Sequence, residues 1–298
     1  MSDRGYNSAS AEDIIAEMNG ASASRRNGIA KLLLYSTHDR PLARKEQQKL
    51  FLMMARLENL ELRHMLNAKA AATHKSLELC DEAAVLSLLP LLEKALEDAW
   101  SLPWRGSIRH NRIHAGFSLA YVLLLACLFD SGDRFDGAAA RVVDMARALP
   151  TDKLGRGFFR TGANVTKCLG LIGVRELRRG AVTEAGEITE TIRKVLTLAV
   201  EARSLHESYF PVSKSRPRKA LDRSGPLSDV VNTNEFRENM RANHIGYCLF
   251  QAVDPDCDPL LRRELCDEAL KSAVSNAYPG ERDEQLRRFN ALFPPQTN

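Results

Sequence analysis

The stretch from residue 122 to residue 150 constrains the fold of this chain most. Its apolar and small residues recur at helical spacing in two successive runs. The first run ends at Phe129 and is followed by Ser131, Gly132 and Asp133, and the second ends at Pro150. Residues three and four positions apart share one face of a helix. The two runs therefore predict a pair of helices folded back on each other.

Helical spacing recurs along most of the chain, and no segment alternates in the manner of a strand. Pro90 lies inside one of these segments, where the missing backbone donor is expected to kink or restart the helix. The further predicted helices cover residues 46–66, 82–99, 188–202, 236–250, 260–273 and 283–292. We therefore predict an all-α protein, either a multi-helix antiparallel bundle or a short α-solenoid of stacked helical hairpins.

The two ends of the chain differ in pattern. Residues 1–30 hold one short helical signal, in which Ser10 and Asp13 precede the apolar residues Ile14 and Met18. We predict a mobile N-terminal arm with one short helix, followed by a helical domain over residues 31–298. Within that domain, residues 211–226 are polar, basic and rich in proline, so they are predicted to form a loop.

Composition bears on nucleic-acid binding, on disulfide bonding and on membrane insertion. The net charge of +4, from 42 basic and 38 acidic residues, is too small to indicate nucleic-acid binding by itself. The six cysteines are scattered and several lie in apolar helical patterns, as expected of reduced core thiols. The longest apolar run is shorter than the roughly 20 residues that a membrane span requires. Since the chain also begins without a secretory pattern, we expect a cytoplasmic protein with no membrane span.

The two helices of the opening stretch resemble a tetratricopeptide repeat. The first match consists of Val122, Leu125, Ala126, Phe129, Ala138, Val142 and Pro150. A second, partial match consists of Leu169, Ile172, Gly173, Gly180, Val182 and Ala185. The two matches are 47 residues apart, measured from Ala126 to Gly173, against 34 in the family. The resemblance implies stacked helix pairs whose concave surface holds a protein or peptide partner, with Gly173 allowing close helix approach and Gly180 forming a turn.

A basic segment at residues 105–114 is the first candidate binding site. Arg105 and Arg109 supply forked donors for a phosphate or carboxylate near a predicted helix start. His110 and His114 share a helix face at a spacing that zinc sites use, but no general-base Glu lies between them and no third ligand follows. We therefore expect no metal. The alternative is that the arginines are solvated and the histidines pack or form hydrogen bonds.

Two further basic stretches extend this hypothesis. Arg156 and Arg160 lie in a glycine-containing segment, residues 152–161, that is predicted to be a loop, and Arg216 and Arg218 lie in the loop at 211–226. If the three stretches converge, they form a basic concavity suited to RNA, single-stranded DNA or a phosphorylated small molecule. If they do not, each is a solvated surface segment.

Evidence for catalysis is sparse, because the chain has no G-x-S-x-G motif and its cysteines lack a catalytic flanking signature. No cofactor is expected. The leading interpretation is a helical-repeat-like, protein-binding or scaffolding protein. The alternatives are an anion- or nucleic-acid-binding protein and a helical enzyme in which His110 or His114 acts on a phosphorylated substrate. Met53 and Met54 mark a predicted apolar face, which either packs in the core or contacts a second copy of the chain.

Overall fold

The structure is a computed structural model that describes residues 9–35, 44–101, 109–149, 158–209, 240–273 and 279–294. These residues form twelve α-helices and no strand, which confirms the predicted all-α class. The helices are α1 (Ala11–Gly20), α2 (Ala23–Tyr35), α3 (Arg44–Ala55), α4 (Leu62–Glu78), α5 (Glu82–Ser101), α6 (Arg109–Cys127), α7 (Gly132–Arg147), α8 (Phe158–Arg178), α9 (Val182–Tyr209), α10 (Met240–Ala252), α11 (Pro259–Ala273) and α12 (Pro279–Leu292).

Successive helices pair as antiparallel hairpins, and the hairpins stack in chain order. The pairs are α4 with α5, α6 with α7, α8 with α9, and α10 with α11. The first helix of each pair contacts the first helix of the next, so α4, α6, α8 and α10 form one continuous row. The helices α1, α2 and α3 pack at the α4 end of this row. We call α4, α6 and α8 the central row.

The second helices of three hairpins share one register. The residues before α5, α7 and α9 are Asp81, Ser131 and Ala181, which are spaced 50 residues apart. The Asp81 carboxylate accepts the Ala84 N–H at 3.1 Å, and the Ser131 hydroxyl accepts the Arg134 N–H at 3.4 Å, so both residues cap their helices. The positions that follow are buried at the same spacing: Val85, Phe135 and Ala185, then Leu88, Ala138 and Ile188, then Leu92, Val142 and Ile192.

The glycines of the third hairpin lie where close backbone approach and chain reversal need them. A Cβ on Gly173 would be 3.1 Å from the Leu249 side chain, so α8 and α10 pack closely at this point. Gly180 has a φ of 76°, a left-handed value that ends α8 and starts the turn to α9. Both roles expected of these glycines are confirmed.

The predicted helix at residues 46–66 is wrong, because two helices cover this segment. The chain leaves helical geometry after Ala55 and α4 begins only at Leu62. The buried Lys69 ammonium of α4 donates a hydrogen bond to the Ala55 carbonyl at 3.0 Å, which satisfies a carbonyl at the C-terminal end of α3. Met54 is fully buried, which identifies its side of the predicted apolar face as core.

A kink or a restart of the helix is predicted at Pro90, and α5 runs through this residue as one helix, so no restart occurs. One prediction about a helix boundary is wrong. The helix α8 begins at Phe158, so residues 158–161 of the predicted loop, including Arg160, are helical. Thr161 is fully buried at the start of the α8 interface, and this packing outweighs the low helix propensity of Gly162.

The C-terminal helix α12 packs back onto earlier hairpins. Phe289 and Phe293 form an aromatic cluster with Phe135 of α7, with ring centroids 4.9–6.5 Å apart. The Arg288 guanidinium lies 2.9 Å from the Glu82 carboxylate at the start of α5. These contacts join residues more than 150 positions apart, so α12 packs against α5 and α7 of the first two hairpins.

At the other end, Ser10 caps α1, since its hydroxyl accepts the Asp13 N–H at 3.2 Å. The Ile14 and Met18 side chains are fully buried and α1 packs on α3. The boundary predicted at residue 30 stays a prediction, and α2 spans it. The predicted loop at residues 211–226 lies outside the described residues.

Candidate functional site

The helix α6 lies in the middle of the central row and is enclosed by its neighbours. Among its residues 113–127, only His114 and Ser118 are partly exposed, and all others are buried. Tyr121 follows on the same helix face and is 7% exposed. Polar side chains thus occupy the one stripe of α6 that its neighbours leave partly open.

Polar residues of the flanking helices lie beside this stripe. Lys167 of α8 is partly exposed, and its ammonium lies 5.6 Å from the centroid of the Tyr121 ring, within range of a cation–π contact. His74 of α4 is also partly exposed, and the charge of Lys167 acts on it. We call His74, Tyr121 and Lys167 the central cluster, because they bring three helices of the central row together.

The environment of His74 favours its neutral form. Burial is the main cause that lowers the pKa of His74 below its ordinary value. Lys75 and Lys167 lower this pKa further, while Glu78 opposes them. The lowered pKa favours the neutral form of the His74 imidazole at neutral pH.

An ion pair borders the central cluster on α4. The Lys75 ammonium lies 2.7 Å from the Glu78 carboxylate, and Glu78 is only 8% exposed. The charges of Glu78 and Lys75 act on the pKa of His74 in opposite directions. The arrangement thus places an ammonium close to a phenol ring, with an imidazole on which the same ammonium acts.

Of the eight residues predicted from sequence, only His114 has a described side chain, and it lies on the α6 stripe one turn before Ser118. His110 and Arg160 fall one turn before His114 and Asn164 in their helices, and Arg109 is the first residue of α6, but the side chains of these three lie outside the described part. Outside the described residues altogether are Arg105, Arg156, Arg216 and Arg218. The convergence of the three basic stretches therefore stays a prediction.

Sequence reasoning missed His74, Tyr121 and Lys167. No short motif joins these residues, because each comes from a different hairpin. One local signal was present: Tyr121 follows His114 by seven residues, which places the two on one face of an otherwise apolar helix. The pairing of that face with Lys167 depends on the stacking of α6 against α8.

A second charged cluster holds α12 in place and is structural in character. The Arg178 guanidinium lies 2.6 Å from Asp267 and 5.4 Å from the centroid of the Phe289 ring, and it also contacts Asn290. Arg175 pairs with Asp136 and Glu176 and lies over Phe135 and Phe293. These arginines are enclosed by aromatic rings and carboxylates, so they bind protein groups rather than a ligand.

The six cysteines form no disulfide. Burial raises the pKa of Cys127 and Cys248 to about 12 and that of Cys266 to about 11, so these thiols are poor nucleophiles near neutral pH. Within the described ranges, no group of three or more metal-binding side chains occurs. No helix in the described part of the chain is long and apolar enough to cross a membrane.

Comparison with protein-family models, with curated proteins and with solved structures finds no match to this chain.

Proposed function

We propose that this chain is a protein-binding scaffold, and that a segment of a protein partner lies across the central row of helices. The observation that carries this proposal is the open stripe of α6, where His114, Ser118 and Tyr121 interrupt a helix that is otherwise buried. Partly exposed polar side chains within a largely apolar surface are groups that the polar atoms of a protein partner can contact at an interface.

The architecture supports the same proposal. Each hairpin of a helical stack buries one face on its neighbour and leaves another face available, so a row of first helices presents an extended surface. In this chain α4, α6 and α8 form such a row. The tetratricopeptide resemblance implies a partner at the corresponding surface and belongs to this proposal.

The other sequence-based alternatives remain predictions. Binding of RNA or single-stranded DNA depends on arginines whose side chains lie outside the described part. The enzyme alternative uses Arg105 or Arg109, whose side chains also lie outside it, together with His110 or His114. Self-association of the chain is likewise a prediction. The scaffold proposal has the advantage that described side chains of the central row contribute to it.

Photo-crosslinking from the central row tests the proposal. A photoreactive amino acid is introduced at Ser118 in one variant and at Asn164 in another, since both positions are partly exposed beside the central cluster. Ser87 is the matched control, because it is an exposed serine on α5. The variants are expressed in the native host, irradiated and analysed by mass spectrometry, and circular dichroism verifies that each keeps its helicity.

The expected result is the same crosslinked protein from Ser118 and from Asn164, with no such product from Ser87. A product that forms equally from Ser87 contradicts the proposed surface. The absence of any product from both central positions, with folded protein present at the level of the control, contradicts the proposed function.

A further inference from the structure

The C-terminal helix α12 is attached to the rest of the protein through a narrow stripe of its surface. Over residues 283–294, only Gln285, Phe289 and Phe293 are buried, and they follow each other at intervals of four. Residues at this spacing lie on one side of a helix. By contrast, residues 113–127 of α6 are buried on almost every side. The helix α12 therefore contacts its neighbours as a helical peptide contacts a receptor, through a few anchors on successive turns.

The anchors rest on aromatic rings and arginines of other helices. Phe289 and Phe293 both contact the ring of Phe135, with centroid distances of 6.5 and 4.9 Å. The Arg178 guanidinium lies 5.4 Å from the Phe289 centroid. The Arg175 guanidinium lies 5.5 Å from the Phe293 centroid. We call Phe135, Arg175 and Arg178 the docking face of α12. Because guanidinium groups favour the faces of aromatic rings, this face suits a helix with aromatic residues four positions apart.

Polar atoms on both sides of this interface weaken the docking of α12. In the part of the chain that the structure describes, the Gln285 Oε1 and the Arg175 Nε are buried and have no hydrogen-bond partner. A buried polar atom of this kind has lost its hydration without a compensating hydrogen bond. The Arg288 guanidinium pairs with Glu82, but the Glu82 side chain is more than half exposed, so this ion pair contributes little.

We propose that the docking face is a helix-binding site, which α12 occupies as a ligand attached to the same chain and leaves while the hairpin stack stays folded. Its occupant from outside is the same segment of a second copy of the chain, because residues 279–294 of that copy carry the same three anchors at the same spacing. No residue of the docking face belongs to the central cluster, so this inference does not depend on the proposed function.

Native-state hydrogen exchange of the full chain measures the release of α12. We expect the amides of α12 to exchange at least about a hundredfold faster than those in the middle of α6, because a local opening breaks only the contacts of α12. Phe289→Leu should accelerate exchange in α12 and leave α6 unchanged. The matched variant is Phe117→Leu in α6, since both rings are fully buried, and it should accelerate exchange in α6 and leave α12 unchanged.

Equal protection of α12 and α6 in the parent chain overturns the proposal. Acceleration of both helices by Phe289→Leu does so too, because α12 then opens only when the whole stack unfolds.

A fluorescent peptide of residues 279–294 tests binding from outside. A ligand attached to the same chain has an effective concentration in the millimolar range, so it competes strongly with the peptide. Phe289→Ala in the chain removes one anchor and should open the docking face. Fluorescence anisotropy is expected to show that the peptide binds the Phe289→Ala chain at least about tenfold more tightly than the parent chain. The control peptide, in which both phenylalanines are replaced by alanine, should bind at least about tenfold more weakly.

Hydrogen exchange on the Phe289→Ala chain makes each outcome decisive. If α6 keeps its protection and the peptide does not bind at about 1 mM, the docking face is not a helix-binding site. Equal binding of the control peptide leads to the same conclusion. If α6 loses its protection, α12 belongs to the cooperative unit of the stack, and the proposed release is wrong.

Discussion

Cys80 and Gly180 occupy the same position in two hairpin turns, and both have left-handed backbone conformations, with φ angles of 48° and 76°. The N–H of each residue donates to a leucine carbonyl three positions earlier, at Leu77 and Leu177, with a distance of 3.1 Å in both turns. The N–H of the following residue reaches back five positions at 2.9–3.0 Å. This pattern is the Schellman motif, which satisfies the last carbonyls of a helix.

The left-handed conformation makes Gly180 sensitive to substitution. We expect Gly180→Ala to lower the free energy of unfolding by about 1–2 kcal/mol, because a Cβ is unfavourable at this φ. The matched control is Gly186→Ala in α9, where no atom lies within 4 Å of the new Cβ and φ is not positive. That substitution should raise the free energy of unfolding by about 0.5–1 kcal/mol. Urea denaturation measures both, and a shift of the same sign in the two variants contradicts the argument.

The sequence pattern predicted several helices because helical periodicity is local, although α2 and most of α4 were not predicted. The segments assigned to α9, α10, α11 and α12 each carry their own apolar stripe, so no knowledge of their neighbours was needed. The break between α3 and α4 was missed because its cause lies elsewhere in the chain. Ala55 ends its helix beside Lys69, and the spacing of Leu57 and Leu60 alone suggests continuation.

The candidate site was largely beyond sequence reasoning for the same physical reason. His114 was identified because its neighbours in the sequence are basic or histidine. His74 and Lys167 are separated from Tyr121 by about one hairpin each, and they meet only because the hairpins stack with a 50-residue register. A spacing of this length is visible once the helix starts at 82, 132 and 182 are known.

Close contact between α8 and α10 leads to a second prediction. A Cβ on Gly170 would clash with the Ile245 side chain, which is fully buried. Gly170→Ala is expected to lower the free energy of unfolding by about 1–3 kcal/mol through overpacking. Ile245→Ala alone should also destabilise, by about 2–5 kcal/mol through the cavity it leaves.

The two substitutions together test the contact directly. In a double-mutant cycle, the pair should cost less than the two single changes added, with a coupling of about 0.5–3 kcal/mol. Chemical denaturation of the four chains measures the cycle. Strict additivity contradicts a direct contact between Gly170 and Ile245.

Two ion pairs of similar length separate the effect of burial from that of distance. Arg178 and Asp267 are 2.6 Å apart with the arginine side chain only 6% exposed, while Arg141 and Glu97 are 2.7 Å apart with both side chains more than half exposed. We expect Arg178→Met to lower the free energy of unfolding by about 3–5 kcal/mol, since it removes a buried group that several partners share. Arg141→Met should cost less than about 1 kcal/mol.

Thermal and urea denaturation of these variants compares the two pairs. Circular dichroism before denaturation verifies that both variants are folded. Equal losses in the two variants contradict the assignment of Arg178 as the residue that holds α12, because a surface pair then contributes as much as a buried one.

The stability of the protein should depend on pH through two histidines on α4, the buried His64 and the partly exposed His74. Burial is the main cause that lowers the pKa of both His64 and His74 below the ordinary value of 6.5, and nearby Arg63, Lys75 and Lys167 act in the same direction. As the pH falls through 6.5, the unfolded chain takes up protons at these two positions more readily than the folded chain does. The free energy of unfolding therefore falls with decreasing pH, by at most about 1.4 kcal/mol per pH unit for each histidine.

Urea denaturation between pH 7 and pH 5 measures this dependence, since most carboxylates stay ionised in that interval. His64→Gln and His74→Gln each remove one titrating group, so each variant should lose stability less steeply on acidification than the parent chain does. The double variant should be the least sensitive of all. A parent chain that gains stability toward pH 5 contradicts this prediction, and so do variants that keep the pH dependence of the parent chain. Either result would mean that folding does not lower the pKa of these two histidines.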